Sequence, residues 1–279
     1  MPAQAAADDP WSGRIEAGVI AASRTSDAED LDSSAIYGRA ELHFDRDAQP
    51  TGFKGRAFSS YYDYFTRARH NRFSNGVSGA LIHQLSDRVA FEVGGAYSSN
   101  LITTEALEAD QLEGRATLVF EPDKKNRIET FGAIRRRDYD DSADRLGHGG
   151  AVGTNYRYHF GSYRYAGASL QRDWIDCANQ FREYRRWTLE AYLSAPVSGS
   201  TLVRGTLSYR DIRFPGRPIA LPGSGSRHDH QLVSELMVTQ PLTHALRLEV
   251  GGRYILRSSN DPGYRKDGIR GQAALQYRF

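Results

Sequence analysis

From His244 to Phe279 the chain alternates with a period of two, and this stretch constrains the fold most. Leu246, Leu248, Val250, Gly252, Tyr254 and Leu256 share one parity. Arg247, Glu249, Gly251, Arg253 and Arg257 share the other, with Ile255 as its apolar exception. The last segment repeats the rule, setting Ile269, Gly271, Ala273, Leu275, Tyr277 and Phe279 against Arg270, Gln272, Ala274, Gln276 and Arg278. Successive side chains of a strand point to opposite faces, so each strand is apolar on one side and cationic on the other. Similar alternation runs along the whole chain, and no amphipathic helix is offered to cover the apolar faces. The apolar side must then meet either a second sheet or hydrocarbon, and lipid is the simpler solution when the opposite side is this charged.

Composition narrows the class. The 279 residues permit one large barrel or two soluble domains. Mean hydropathy is −0.58, and no apolar run reaches the roughly 18 residues of a membrane helix. That excludes a helical membrane protein and leaves a strand-built one open, because half of each strand would face water. A net charge of +2 gives nucleic-acid binding no support. The single Cys177 rules out an internal disulfide. The Ala-rich start, MPAQAAADD, reads as the beginning of a mature chain whose export signal has been removed.

Taken in order, residues 1–10 read as a flexible N-terminal tail and 11–279 as a single barrel. Strands are expected over 11–21, 35–44, 53–65, 74–85, 89–98, 112–120, 127–139, 151–160, 163–174, 185–195, 201–213 and 231–239, followed by the closing hairpin. That makes about fourteen strands of roughly 9–13 residues, close to the ~9–11 needed to cross a bilayer at a tilt. Short turns such as Ser86-Asp87, Gly161-Ser162 and Gln240–Thr243 alternate with longer connections at 24–34, 101–111, 140–149, 175–183, 214–229 and 258–266. Short turns on one side and longer loops on the other are the rhythm of an up-and-down transmembrane barrel. Aromatics are expected to form two girdles. One comprises Phe44, Phe53, Phe91, Phe120, Phe160, Tyr163, Tyr277 and Phe279; the other Tyr61, Tyr97, Tyr139, Trp174, Trp187, Tyr209 and Tyr254. A soluble sandwich with dry inner faces is the alternative, and no tandem repeat suggests a propeller.

The terminal Phe279 after an alternating strand resembles the C-terminal strand of Gram-negative, porin-like outer-membrane β-barrels. The resemblance implies a closed antiparallel transmembrane barrel in the outer membrane, surrounded by lipid and lipopolysaccharide. It also implies recognition of the last strand by the barrel assembly machinery. The ending RSSNDPGYRKDGIRGQAALQYRF in addition resembles the last hairpin of barrels that export surface lipoproteins or exopolysaccharides. Those often carry a periplasmic helical-repeat domain that this sequence does not show.

Parity assigns the polar face to the lumen. The pore-lining set is then Arg14, Arg39, Arg56, Arg115, Arg135, Arg137, Arg157, Arg186, Arg204, Arg210, Arg247, Arg253, Arg257 and Arg270, with Glu41, Glu113, Glu129, Glu190 and Glu249. Cross-strand Arg–Glu pairs are expected to stiffen the wall. The excess of arginine, with Tyr37, Tyr192, His43 and His159 between, predicts a positive lumen suited to anions or acidic oligosaccharides. Fourteen strands fall between a side-chain-filled barrel and a wide channel. The 214–229 loop is the segment expected to constrict it.

Catalytic and metal motifs are weaker. HNRFSNG at 70–76 resembles the His-x-Ser-Asn-Gly element of outer-membrane phospholipases. Two extra residues separate His70 from Ser74 by about 13 Å on a strand rising ~3.3 Å per residue, too far for a base. The 138–150 segment has the Asp and His content of a barrel-protease loop without a paired arrangement. Asp27, Glu29, Asp30 and Asp32 lack EF-hand spacing, Cys177 makes no zinc pattern, and no phosphate loop precedes a helix. The expectation is a monomeric, non-enzymatic diffusion channel for small solutes with an anion-leaning lumen and no cofactor or metal. The rivals are an export or assembly barrel working with a periplasmic or surface partner, and an outer-membrane hydrolase. Planar-bilayer conductance separates them; the solute and the gating are not written in the sequence.

Overall fold

The computed structural model describes residues 10–23, 34–46, 49–65, 71–103, 108–139, 146–219 and 225–279. The expected N-terminal tail, the acidic run Asp27–Asp32 and His70 lie outside the described residues, except for Pro10. Fourteen strands form one closed antiparallel sheet in which each pairs with its sequence neighbours and the first pairs with the last. They are β1 Trp11–Ser23, β2 Ala35–Arg46, β3 Thr51–Tyr64, β4 Arg72–Ser86, β5 Val89–Ile102, β6 Glu108–Phe120 and β7 Asn126–Tyr139. The second half comprises β8 Leu146–Gly161, β9 Arg164–Cys177, β10 Tyr184–Ser198, β11 Thr201–Pro218, β12 Ser226–Pro241, β13 Leu246–Ser259 and β14 Lys266–Arg278. Among the described residues, the helical segments are two single 3-10 turns, Gln180–Arg182 and Pro262–Tyr264.

The seam is made by β1 and β14, in register from Arg14 opposite Arg278 to Ser23 opposite Ile269. The chain end locks it: the Gly13 N–H donates to the Phe279 carbonyl at 2.9 Å, and the Phe279 N–H returns a bond to Gly13 at 3.1 Å. Gly13 lets the Phe279 ring lie over the seam, since a Cβ there would come within 2.4 Å of the ring and force it aside. Closure leaves no unpaired strand edge.

Register carries one parity around the whole cylinder, so every strand keeps its apolar face on the same side. Ile15, Val19, Leu81, Val93, Leu189 and Leu236 are each about half exposed, and Ile134 is 75% exposed. A continuous outer band of large apolar side chains is the reverse of a soluble protein's arrangement and fits hydrocarbon around the wall. At the short-turn end of this face Trp11 packs edge-on against Phe44 at 4.8 Å. Tyr139 is a correction: it shares Arg137's parity, points inward and is fully buried.

Strands run 12 to 18 residues, longer than a bilayer crossing requires. They extend past the membrane band into segments expected to be loops. Ile212 pairs with Asp229 and Phe214 with Arg227, so most of the anticipated 214–229 loop is ordered β-ladder. The 101–111 and 140–149 connections shorten for the same reason.

Candidate functional site in the barrel interior

Every position of the polar set falls on the inner face. Arg14 stands opposite Glu41, His43 opposite Arg56, and Arg39 opposite Ser60. Glu113 faces Arg135, Glu129 faces Asn155, Arg115 faces Gly94, and Arg157 faces Gly167. Arg186 faces Asp173, Glu190 faces Ser208, Arg210 faces Gln231, and Arg204 faces Met237. Arg253 faces Arg270, Arg257 faces Gln231, Arg247 faces Gln276, and Glu249 faces Thr239.

These residues gather into distinct groups. On β1–β3, the Glu41 carboxylate is 1% exposed and takes three guanidinium groups: Arg14 at 2.7 Å, Arg56 at 2.6 Å and Arg39. His43 Nε2 lies 3.2 Å away. Three cations on one carboxylate leave a local surplus of positive charge. On β6–β10, Arg135 bonds Glu113 at 2.7 Å and Arg186 bonds Asp173 at 3.0 Å. Arg137 donates to Gln111 Oε1 at 2.8 Å and lies against the Tyr184 ring. On β12, Arg227 bonds Asp229 at 3.0 Å and is sandwiched between Phe214 and Tyr264.

A different arrangement holds three further arginines. Arg115 lies 3.6 Å over the centre of Phe131, Arg157 lies 5.6 Å over Tyr165, and Arg204 lies 5.5 Å over Tyr192. Tyr165 and Tyr192 themselves meet edge-on at 6.1 Å, joining Arg157 to Arg204 across β8–β11. An aromatic face positions a guanidinium without cancelling its charge. Tyr192 is expected among the lumen arginines, whereas the sequence reading does not single out Phe131 and Tyr165; the signal available for them is their sharing of parity with Arg115 and Arg157 across the ladder.

The lumen is lopsided. Inner positions of β4 and β5 are small, with Ser78, Ala80, Gly94 and Ala96 facing one another. Along this wall lies a cavity of about 710 Å³ bordered by Lys54, Glu92, Arg46 and Arg127. A second, of about 340 Å³, shares Lys54 and Glu92 and adds Arg56 and Arg115. A third, of about 470 Å³, shares Arg56 and reaches Arg14 and Arg278. All three lie on the β1–β6 side, between the short-turn end and mid-height, and neighbouring ones share lining residues. The opposite side is filled at its loop end, where Ile175, Tyr184, Ile212 and Phe214 make a dry cluster.

Residues 220–224, at the tip of the segment expected to constrict the lumen, lie outside the described residues; a second connection, between β9 and β10, reaches the interior. The Gln180–Arg182 turn between β9 and β10 folds inward, burying Arg182 to 3% exposure against the Tyr139 ring. Gly216 of β11 lies directly beneath it, and a Cβ there would meet the Gln180 carbonyl at 2.0 Å. Of the candidate hydrolase pair, Ser74 donates its hydroxyl to the Asn100 carbonyl at 2.8 Å.

A cylinder of 14 antiparallel strands, apolar outside and arginine-rich inside, has the architecture of outer-membrane β-barrels. Comparison with solved structures agrees. OmpT, an outer membrane protein of Vibrio cholerae, superposes in its in-vitro folded form with a TM-score of 0.55 at 9% identity, covering 96% of each chain. Its trimer form gives 0.54 at 9% identity, covering 96% of this chain and 98% of the other. A FadL homologue of Pseudomonas aeruginosa gives 0.54 at 10% identity, covering 96% and 90%. At these identities the likeness is one of fold. No protein-family model and no curated protein matches the sequence.

Proposed function

We propose that this chain is an outer-membrane channel for passive diffusion of small solutes, with an anion-leaning lumen. The observation that carries the reading is the placement of Arg115, Arg157 and Arg204 on aromatic faces. Their charge is fixed in position, and among the described residues none of the three is in a salt bridge at contact distance, although Glu113 lies near Arg115. A unit anion about 4 Å from one such group gains about 4 kcal/mol at an effective dielectric near 20, against about 1 in water. That exceeds thermal energy several-fold, and several such groups in series provide the multi-site attraction that conduction needs. Glu41, shared by three arginines, tempers the wall so that an anion can leave as well as enter. The cavities on the β1–β6 side give small solutes space from the short-turn end to mid-height. The barrel acts without catalysis, in the outer membrane, with lipopolysaccharide around it and its last strand as the signal read during assembly.

The test is planar-bilayer recording of the purified protein. Steady conductance with anion preference is expected. Replacing Arg115, Arg157 and Arg204 together by Glu should move the anion-to-cation permeability ratio to or below one. An unchanged ratio would remove these residues from the pore. The dry cluster at the loop end favours a second reading, an export barrel kept closed until a partner opens it. That reading expects no conductance from the barrel alone.

A further inference from the structure

We propose that Asp211, His228 and His230 form a transition-metal site on the outer face of the barrel, taking zinc(II) or a similar divalent ion. The site lies outside the lumen, so it stands or falls independently of the channel reading. Three observations support it. The first is convergence. Asp211 is on β11, and His228 and His230 are two residues apart on β12, so the pleat puts both imidazoles on one face. Asp211 stands directly opposite His230 in the ladder. One ligand atom from each residue lies within 4.8 Å of the others.

The second is spacing. His228 Nε2 is 2.9 Å, and His230 Nδ1 3.4 Å, from the same Asp211 Oδ2. Ligands bound to zinc at 2.0–2.1 Å in a tetrahedron stand about 3.3 Å apart. The two imidazole centres are 4.3 Å apart, so only small side-chain rotations are needed to aim all three donors at one point.

The third is support. Arg213 Nε lies 3.6 Å from Asp211 Oδ1, the oxygen not facing the histidines, and steadies the carboxylate. The Tyr209 hydroxyl shares a hydrogen bond with His230 Nδ1 at 2.8 Å, a contact an incoming ion displaces, which leaves the hydroxyl beside the site to hold a water in the fourth position. The His228 backbone N–H donates to the Asn260 side-chain oxygen at 2.8 Å, which holds the main chain, though not the ring, in place. Such neighbours orient ligands and are a normal part of a metal site. Two imidazoles and one carboxylate select zinc, copper or nickel over magnesium and calcium, which prefer all-oxygen shells. Asp211 also pairs with Trp187 on β10, so the trio sits at the loop-side girdle of the outer wall. There an ion would clamp β11 to β12.

The protein, purified in detergent without a polyhistidine tag, is titrated with zinc chloride by calorimetry. One equivalent is expected to bind. His228→Ala and His230→Ala should each weaken binding at least tenfold, while His83→Ala, on the outer face of β4, should leave it unchanged. Retention of the folded barrel in each variant is checked by its heat-dependent gel mobility. On the unaltered protein, cobalt(II) should give the intense visible bands of a tetrahedral site. The proposal is overturned by the lack of saturable zinc binding, by binding that survives both histidine variants, or by equal competition from calcium. A cobalt spectrum of plain octahedral character also overturns it.

Discussion

Asp123, in the connection between β6 and β7, turns the chain with its side chain. Its Oδ1 accepts the Lys125 N–H at 2.7 Å and the Asn126 N–H at 2.9 Å, and the Asn126 amide adds bonds at 3.0 and 2.8 Å. These donors favour the charged form, the Lys125 amide most, and hold the carboxyl below its ordinary value. A group depressed on folding stabilises the folded state fully above its unfolded pKa, near 3.9, and loses that contribution as pH falls through the folded value. Amide protection of Lys125 and Asn126 should therefore be high near pH 6 and fall once the pH drops below about 4. In Asp123→Ala it should be low throughout. NMR hydrogen exchange in micelles checks this, and protection that ignores both pH and substitution would show that the backbone alone makes the turn.

At the scale of elements, the β9–β10 connection and β11 define the outer mouth. Gly216→Val puts a side chain where the Gln180 carbonyl now sits, so the turn must lift. Single-channel conductance should rise in that variant, and an unaltered conductance would show that the turn does not limit passage. Much of this level was legible in the sequence. The period of two fixed which face each residue takes, because a one-residue slip exchanges oil for charge along an entire strand. Ladder register sets Arg14, Glu41, Arg135 and the rest of the polar set on one face of the sheet, as a period of two requires. Strand ends were less legible. Pro215 and Pro218 read as loop signals, yet they sit in β11 beyond a register shift after Phe214. Starting the strand at 231 also hid His228 and His230, whose shared face appears only once β12 is extended back to Ser226. Tyr139 was misplaced because an aromatic at a strand end suits a girdle and a packed interior equally well. The dry cluster escaped notice because Ile175, Ile212 and Phe214 come together only through three neighbouring strands.

For the whole molecule, two solvents act on one wall, and adjacent positions should respond to them oppositely. Val93 on β5 points outward and is about half exposed to the surroundings. Ala96, three residues on, faces inward opposite Glu113 and borders the 340 Å³ cavity. Arginine at a lipid-facing position near the bilayer midplane costs roughly 2–4 kcal/mol. At position 96 the same side chain enters a wet space with Glu113 as a partner. Val93→Arg should accordingly lower unfolding stability in lipid vesicles by that amount and leave conductance nearly unchanged where it folds. Ala96→Arg should hold stability to within about 1 kcal/mol, as a solvated ion pair does, while cutting conductance by narrowing the path. Urea titration in vesicles and bilayer recording of the same two variants read both quantities. If Val93→Arg were as stable as the parent while Ala96→Arg unfolded easily, oil and water would be on the wrong sides of the wall, and the membrane assignment would fail with them.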